Sequence, residues 1–181
     1  DKAENYCRKA IDLYQSDPGM YRLLAEIMVK RNNWAGAKKM LKAALDIAPS
    51  DVSSLFSLGK LMQEEKNYVE AIKYFEEVLR RSPDNIWVLN FVGKERLRTG
   101  DREGAIRAFT HAAELAPREG IQQYHLGIAY ETGTDNKLLG PGSDPVAAQS
   151  FYQRALELNP ELQQAKDRLS IINKASIQKR K

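Results

Sequence analysis

Residues 44–49 read Ala-Leu-Asp-Ile-Ala-Pro, residues 78–83 read Val-Leu-Arg-Arg-Ser-Pro, and residues 113–117 read Ala-Glu-Leu-Ala-Pro. Each phrase closes an apolar helical pattern on a proline, and Pro49, Pro83 and Pro117 follow one another at intervals of 34 residues. A fixed period of that length marks a helical array, in which each repeat is one hairpin that buries its apolar face against its neighbours. A fourth copy, Ala155-Leu-Glu-Leu-Asn-Pro160, comes 43 residues after Pro117, so this repeat carries nine extra residues.

Between the prolines, residues 52–65 and 68–81 carry apolar side chains at helical spacing, such as Leu55, Leu58, Leu61 and Met62, which predicts two helices per repeat. Breakers fall between them at Asn32-Asn33, Lys66-Asn67, Thr99-Gly100-Asp101 and Thr132-Gly133, with Asp101 placed to cap a helix. The repeat prolines are expected to open the next hairpin, where a missing N–H costs little. Small and large residues also recur in register. The first helices hold Ala25, Gly59, Gly93 and Gly127; the second open on Ala37, Ala71, Ala105 and Ala148. Four residues later stand Leu41, Phe75, Phe109 and Tyr152, followed by Ala44, Val78, Ala112 and Ala155. Small residues let two helices approach closely, and the large one fills the hole that remains.

These glycine, alanine and aromatic positions resemble those of the tetratricopeptide repeat family, over nearly the whole chain, with Arg96 standing where the family prefers an aromatic. The resemblance implies an all-α fold, a right-handed superhelical solenoid of antiparallel helix hairpins. It divides the chain into a half-repeat helix at 1–17, full repeats at 18–51, 52–85, 86–119 and 120–162, a loop insertion at 132–146, a capping helix at 161–176 and a basic tail at 177–181. The half-repeat shows Ala3, Cys7 and Ala10 matching a second helix without its first, and the chain lacks an initiator Met. Both read as a fragment of a longer protein. Leu162, Ala165, Leu169 and Ile172 form the apolar stripe of the cap.

Composition agrees with an ordered helical protein: 43% of residues are hydrophobic, and only 11 are glycine and 7 proline. The 28 basic and 24 acidic residues are interspersed, leaving a net charge of +4 that describes solvated faces better than a nucleic-acid surface. No apolar run approaches the roughly 20 residues of a membrane span. The single Cys7 cannot form an internal disulfide and favours a reducing compartment, so a cytoplasmic location is expected. As a small apolar residue it is expected on a packed face.

Chemistry is sparse. His111 and His125 lie on different repeats, away from Cys7, so no nucleophilic constellation and no paired metal ligands arise. Gly140-Pro-Gly-Ser-Asp-Pro145 lacks the Gly-Lys-Ser/Thr ending of a phosphate loop and reads as a turn, and Asp135, Asn136 and Asp144 do not follow calcium-loop spacing. No catalysis, cofactor or metal is expected. Trp34 reads as a packing residue at a hairpin turn, and His111 as a solvated residue on a second helix.

The resemblance places the first helices on an inner, concave face. It assigns to that face Arg22 and Glu26, then Phe56, Ser57 and Lys60, then Trp87, Asn90, Phe91, Lys94 and Arg98, then Tyr124, His125 and Ile128. The aromatics either meet a ligand or pack on adjacent hairpins. The chaperone-tail clamp of some family members is not reproduced, since its places hold Arg22, Glu26, Ser57, Trp87 and Phe91. The expectation is a non-catalytic scaffold binding a partner's extended or helical peptide, with apolar anchors for the rings and acidic groups near Lys60, Lys94 and Arg98. The alternative is a self-assembly module that oligomerises through end helices. The 132–146 insertion either covers a bound peptide or is a tolerated surface loop. Asp144 and Pro145 restart the helix after it.

Overall fold

The computed structural model describes residues 2–14 and 16–178, with the backbone alone at 176–178. The basic run Lys179-Arg180-Lys181 lies outside the described residues. Among the described residues there are ten helices and one isolated bridge, Thr132 with Leu138. The chain divides into two compact units between Pro83 and Asp84.

The first unit holds α1 (Lys2–Leu13), α2 (Pro18–Lys30), α3 (Trp34–Ile47), α4 (Val52–Glu64) and α5 (Tyr68–Arg81). The pairs α2 with α3 and α4 with α5 are hairpins whose turns share one geometry. Asn32 and Lys66 both take φ 59°, and the next residue folds back, Asn33 N–H donating to Met28 O at 2.9 Å and Asn67 N–H to Met62 O at 2.8 Å. The Asn33 and Asn67 side chains then cap α3 and α5, accepting from Gly36 N and Glu70 N. Asp17 and Asp51 cap α2 and α4 in the same way. In the core, the Phe75 ring packs against Gly59, where an added Cβ would stand 2.5 Å from it. Cys7 is buried on α1, whose Glu4 is ion-paired with Arg31 beyond the end of α2.

The second unit repeats the plan with α6 (Ile86–Thr99), α7 (Arg102–Leu115), α8 (Gly120–Glu131), α9 (Pro145–Leu158) and α10 (Gln163–Gln178). Gly100 at φ 88° takes the left-handed place of Asn32 and Lys66, and Asp101 caps α7 while its N–H donates to Arg96 O at 2.8 Å. Phe109 lies on Gly93, and Tyr152 on Gly127. The cap α10 closes a cluster of Ala148, Tyr152, Ala155, Leu162, Ala165 and Ile172.

One expectation is corrected. Pro49, Pro83 and Pro117 do not sit in the first turn of the following helix; each stands immediately after the C-cap residue, Ala48, Ser82 or Ala116. Proline disfavours the α conformation in the residue before it, so these prolines stop one helix; Asp51 and Asn85 then cap the next after Pro49 and Pro83, whereas α8 starts after Glu119 with no side-chain cap. Pro18 and Pro145 are the prolines that do open helices, α2 and α9.

The extra residues between α8 and α9 form a compact loop pinned to its surroundings. Leu139 N–H donates to Glu131 O and Asp144 N–H to Tyr130 O, both at 2.8 Å, and Asn136 Nδ2 donates to Arg98 O at 3.1 Å.

Candidate functional site

Each unit has a hollow beside its first helices. In the first unit it measures about 450 Å³ between α2 and α4, lined by Arg22, Glu26, Phe56, Ser57 and Lys60, with Trp34 and Leu41 of α3 also reaching it. The sequence explains the opening. Where the other repeats set a Phe or Tyr ring on glycine, this one has Leu41 and Ala25 in those places, both lining the hollow, and the shorter side chain fills less of it. Arg22 Nη1 donates to Asp51 Oδ2 at 2.9 Å, and Lys60 Nζ to Gln63 Oε1 at 2.8 Å. Burial pushes the Asp51 carboxyl upward, but the Ser54 and Arg22 hydrogen bonds outweigh it and hold the group below its usual range. Phe56 tilts against Phe75 with centroids 5.7 Å apart.

In the second unit the hollow measures about 520 Å³ between α6, α8 and the turn before α8. Trp87, Asn90, Phe91, Lys94, Glu119, Gln122 and His125 line it. Trp87 is 79% exposed, an indole presented on a well-formed helix with little cover. His125 is buried, stacked on Phe109 with centroids 5.2 Å apart, and its Nδ1 lies 3.0 Å from Asn90 Oδ1. Burial, with the Lys94 charge adding to it, pushes His125 down to about 3. The ring is therefore neutral at pH 7, and Nδ1–H donates to the Asn90 oxygen.

The structure thus brings Arg22, Phe56 and Lys60 to one hollow and Trp87, Asn90, Phe91, Lys94 and His125 to the other. Arg98, Tyr124 and Ile128 line neither. Arg98 donates to both oxygens of buried Glu95, at 2.7 and 2.8 Å. Tyr124 and Ile128 pack against the cluster that α10 closes, Tyr124 lying 5.7 Å from the Tyr152 ring, and burial raises the Tyr124 hydroxyl. Trp34, expected only to pack, also lines a hollow. Gln122 was not anticipated, although the sequence carries a signal. Its register holds Met20, Ser54 and Val88 in the preceding repeats, so an amide there is out of pattern.

A buried polar lock was also missed. Glu131 is fully buried at the end of α8 and accepts from Tyr152 Oη of α9 at 2.7 Å and from Arg168 Nε of α10 at 2.9 Å. Burial works against the Arg168 charge, but the carboxylate more than offsets it and raises the group; the Tyr152 hydroxyl is raised by burial and by the same carboxylate. The only sequence trace is a Tyr at 152 where earlier repeats have Phe75 and Phe109.

The hollows offer indole, amide, phenyl and ammonium groups, which suit recognition. Among the described residues, no group of three or more His, Cys, Asp or Glu could hold a metal ion, and no helix is long and apolar enough to cross a membrane. His111 Nε2 lies 3.4 Å from Asp84 Oδ1 at the surface.

A family model described as tetratricopeptide repeat matches residues 22–86 and 93–162. Among solved structures, the chain is similar to MamA 41-end from Desulfovibrio magneticus RS-1, with 21% identity, a TM-score of 0.72, and 88% of this chain and 85% of that one covered. A tetratricopeptide repeat protein from Parabacteroides merdae ATCC 43184 gives 20% identity and a TM-score of 0.75 over 88% of this chain and 60% of its own. Cut9, in the APC/C hetero-tetramer Cut9-Hcn1, gives 17% and 0.69 over 92% of this chain and 32% of that one. No curated protein matches. The fold of the matched residues is that of a protein–protein interaction scaffold, and the chain belongs to the tetratricopeptide repeat family.

Proposed function

We propose that the chain is a non-catalytic scaffold that grips a peptide segment of a partner protein, chiefly in the hollow between α6 and α8. The observation that carries this reading is the exposed Trp87 beside a built polar floor, the Asn90–His125 pair. A large indole left in water gains nothing for a free chain, whereas aromatic anchors beside fixed polar groups dominate peptide interfaces. Lys94, exposed on the same face, favours a ligand with an acidic group. The hollow left by Leu41 is a second place for an apolar side chain of the partner.

Panning a random-peptide library against this chain and against a Trp87→Ala, Phe91→Ala variant tests the reading, once helicity and melting are matched. Enriched peptides sharing an apolar and acidic pattern, and lost in the variant, are expected. Enrichment indifferent to the variant overturns the assignment.

Self-assembly is the second reading, favoured by α1 and the turn after it, where Tyr6, Leu13 and Tyr14 are exposed. It predicts a concentration-dependent mass that becomes monomeric when residues 1–17 are deleted.

A further inference from the structure

We infer that the hollow between α6 and α8 takes its peptide in extended form, with the ligand's main chain hydrogen-bonding to the Gln122 amide; this rests on the peptide-binding reading above. Gln122 lines the hollow and is only 4% exposed, yet its Oε1 is buried without a hydrogen-bond partner. Buried side-chain amides are nearly always paired, so an orphan of this kind marks a place where a partner arrives from outside.

The rest of the helix sharpens the contrast. His125 Nδ1 is matched to Asn90, Glu131 to Tyr152 and Arg168, and Thr132 Oγ1 donates to Ile128 O at 2.8 Å. In the same register of the preceding repeats, the Ser54 hydroxyl is bonded to Asp51, and Val88 needs no partner. Among the neighbours in the hollow, Ile86, Ala116 and Ile121 have apolar side chains and the Glu119 carboxylate is an acceptor like Oε1 itself; the donors there, on Asn90, Lys94 and Trp87, make no hydrogen bond to it.

The terminal torsion of glutamine is soft, so the amide turns its oxygen or its NH₂ to the hollow at little cost. An extended peptide offers both complementary groups, N–H and C=O, at each residue. The interior of a helical peptide offers no N–H to Oε1, because its N–H groups are spent on its own carbonyls. The extended form also lets one side chain lie on the Trp87 indole while an acidic one reaches towards Lys94. Gln122 then fixes the register of the segment.

The test uses the full chain and peptides selected by panning, each N-methylated at one position in turn and titrated by fluorescence anisotropy. One position is expected at which N-methylation weakens binding to the native chain about tenfold, the worth of one net hydrogen bond, and has almost no effect on a Gln122→Met variant. Free Gln122→Met is expected to melt no lower than the native chain, and up to about 2–4 °C higher, because the near-isosteric thioether removes an unpaired amide. Peptides that bind and depend on Trp87 but show no position coupled to Gln122, or that bind equally well when stapled as helices, overturn the extended mode and leave peptide binding standing. A melting point lowered by several degrees overturns it too, by showing the amide paired in the free chain. Failure to select any peptide that depends on Trp87 defeats the peptide reading itself.

Discussion

His125 couples the second hollow to pH. Its folded pKa is depressed to about 3 by burial and by Lys94, against about 6.5 for an unfolded histidine. Below pH 6.5 the unfolded chain therefore binds a proton that the folded chain refuses, and stability falls as pH drops from 6.5 towards 3. The slope is at most about 1.4 kcal/mol per pH unit for one group. Urea titrations between pH 7 and 4 should show a flatter decline for His125→Gln than for the native chain; an identical slope would mean the ring is protonated in the fold. Glu131 carries a larger stake. Removing Arg168 leaves a fully buried carboxylate with the Tyr152 hydroxyl alone, so Arg168→Met is expected to cost about 3 kcal/mol or more. Combining it with Glu131→Leu and Tyr152→Phe, which restores the aromatic of Phe75 and Phe109, should recover most of the loss in denaturant melts.

At the scale of helices and turns, three hairpins share one turn, and its left-handed residue is Asn32, Lys66 or Gly100. A lysine with its Cβ in that region is strained where glycine is not. Lys66→Gly should thus stabilise the chain by about 0.5–1 kcal/mol, read as a higher urea midpoint. The hollow of the first unit has an equally local cause. Importing the packing of the later repeats with Ala25→Gly and Leu41→Phe should seat a ring on glycine as Phe75 sits on Gly59. The double variant is expected to melt higher, because it fills a void, and to lose any ligand whose side chain enters that hollow. An unchanged melting point, or unchanged binding by peptides shown to need Phe56, would refute this account of the opening. The breaker positions, the Asp101 cap and the recurring glycine and aromatic places were legible in advance, since they recur at the repeat period; the hollow and the left-handed conformation of Lys66 were not. The prolines were placed one element too late because the period alone cannot tell whether a proline ends one helix or begins another.

For the molecule as a whole, the cap α10 has the most to protect. It covers Tyr124, Ile128 and Tyr152 and supplies Arg168 to Glu131. Truncation after Asn159 is expected to expose that cluster, with increased binding of a hydrophobic dye and loss of cooperative melting in the second unit; a truncated chain melting like the native one would show the cap to be dispensable. By itself the sequence determined the class, the hairpins, their turns and the identity of the repeat, because each depends on a short-range pattern repeated in register. Only the tertiary structure decided which inward residues stay at a hollow. Trp87, Asn90, Lys94 and His125 meet there, whereas Tyr124 and Ile128, equivalent in pattern, are covered by a helix more than thirty residues further along. The tertiary structure also decided that Glu131 is locked while Gln122 Oε1 is left without a mate. Burial of a polar group depends on what is packed over it from distant parts of the chain, and no local periodicity encodes that.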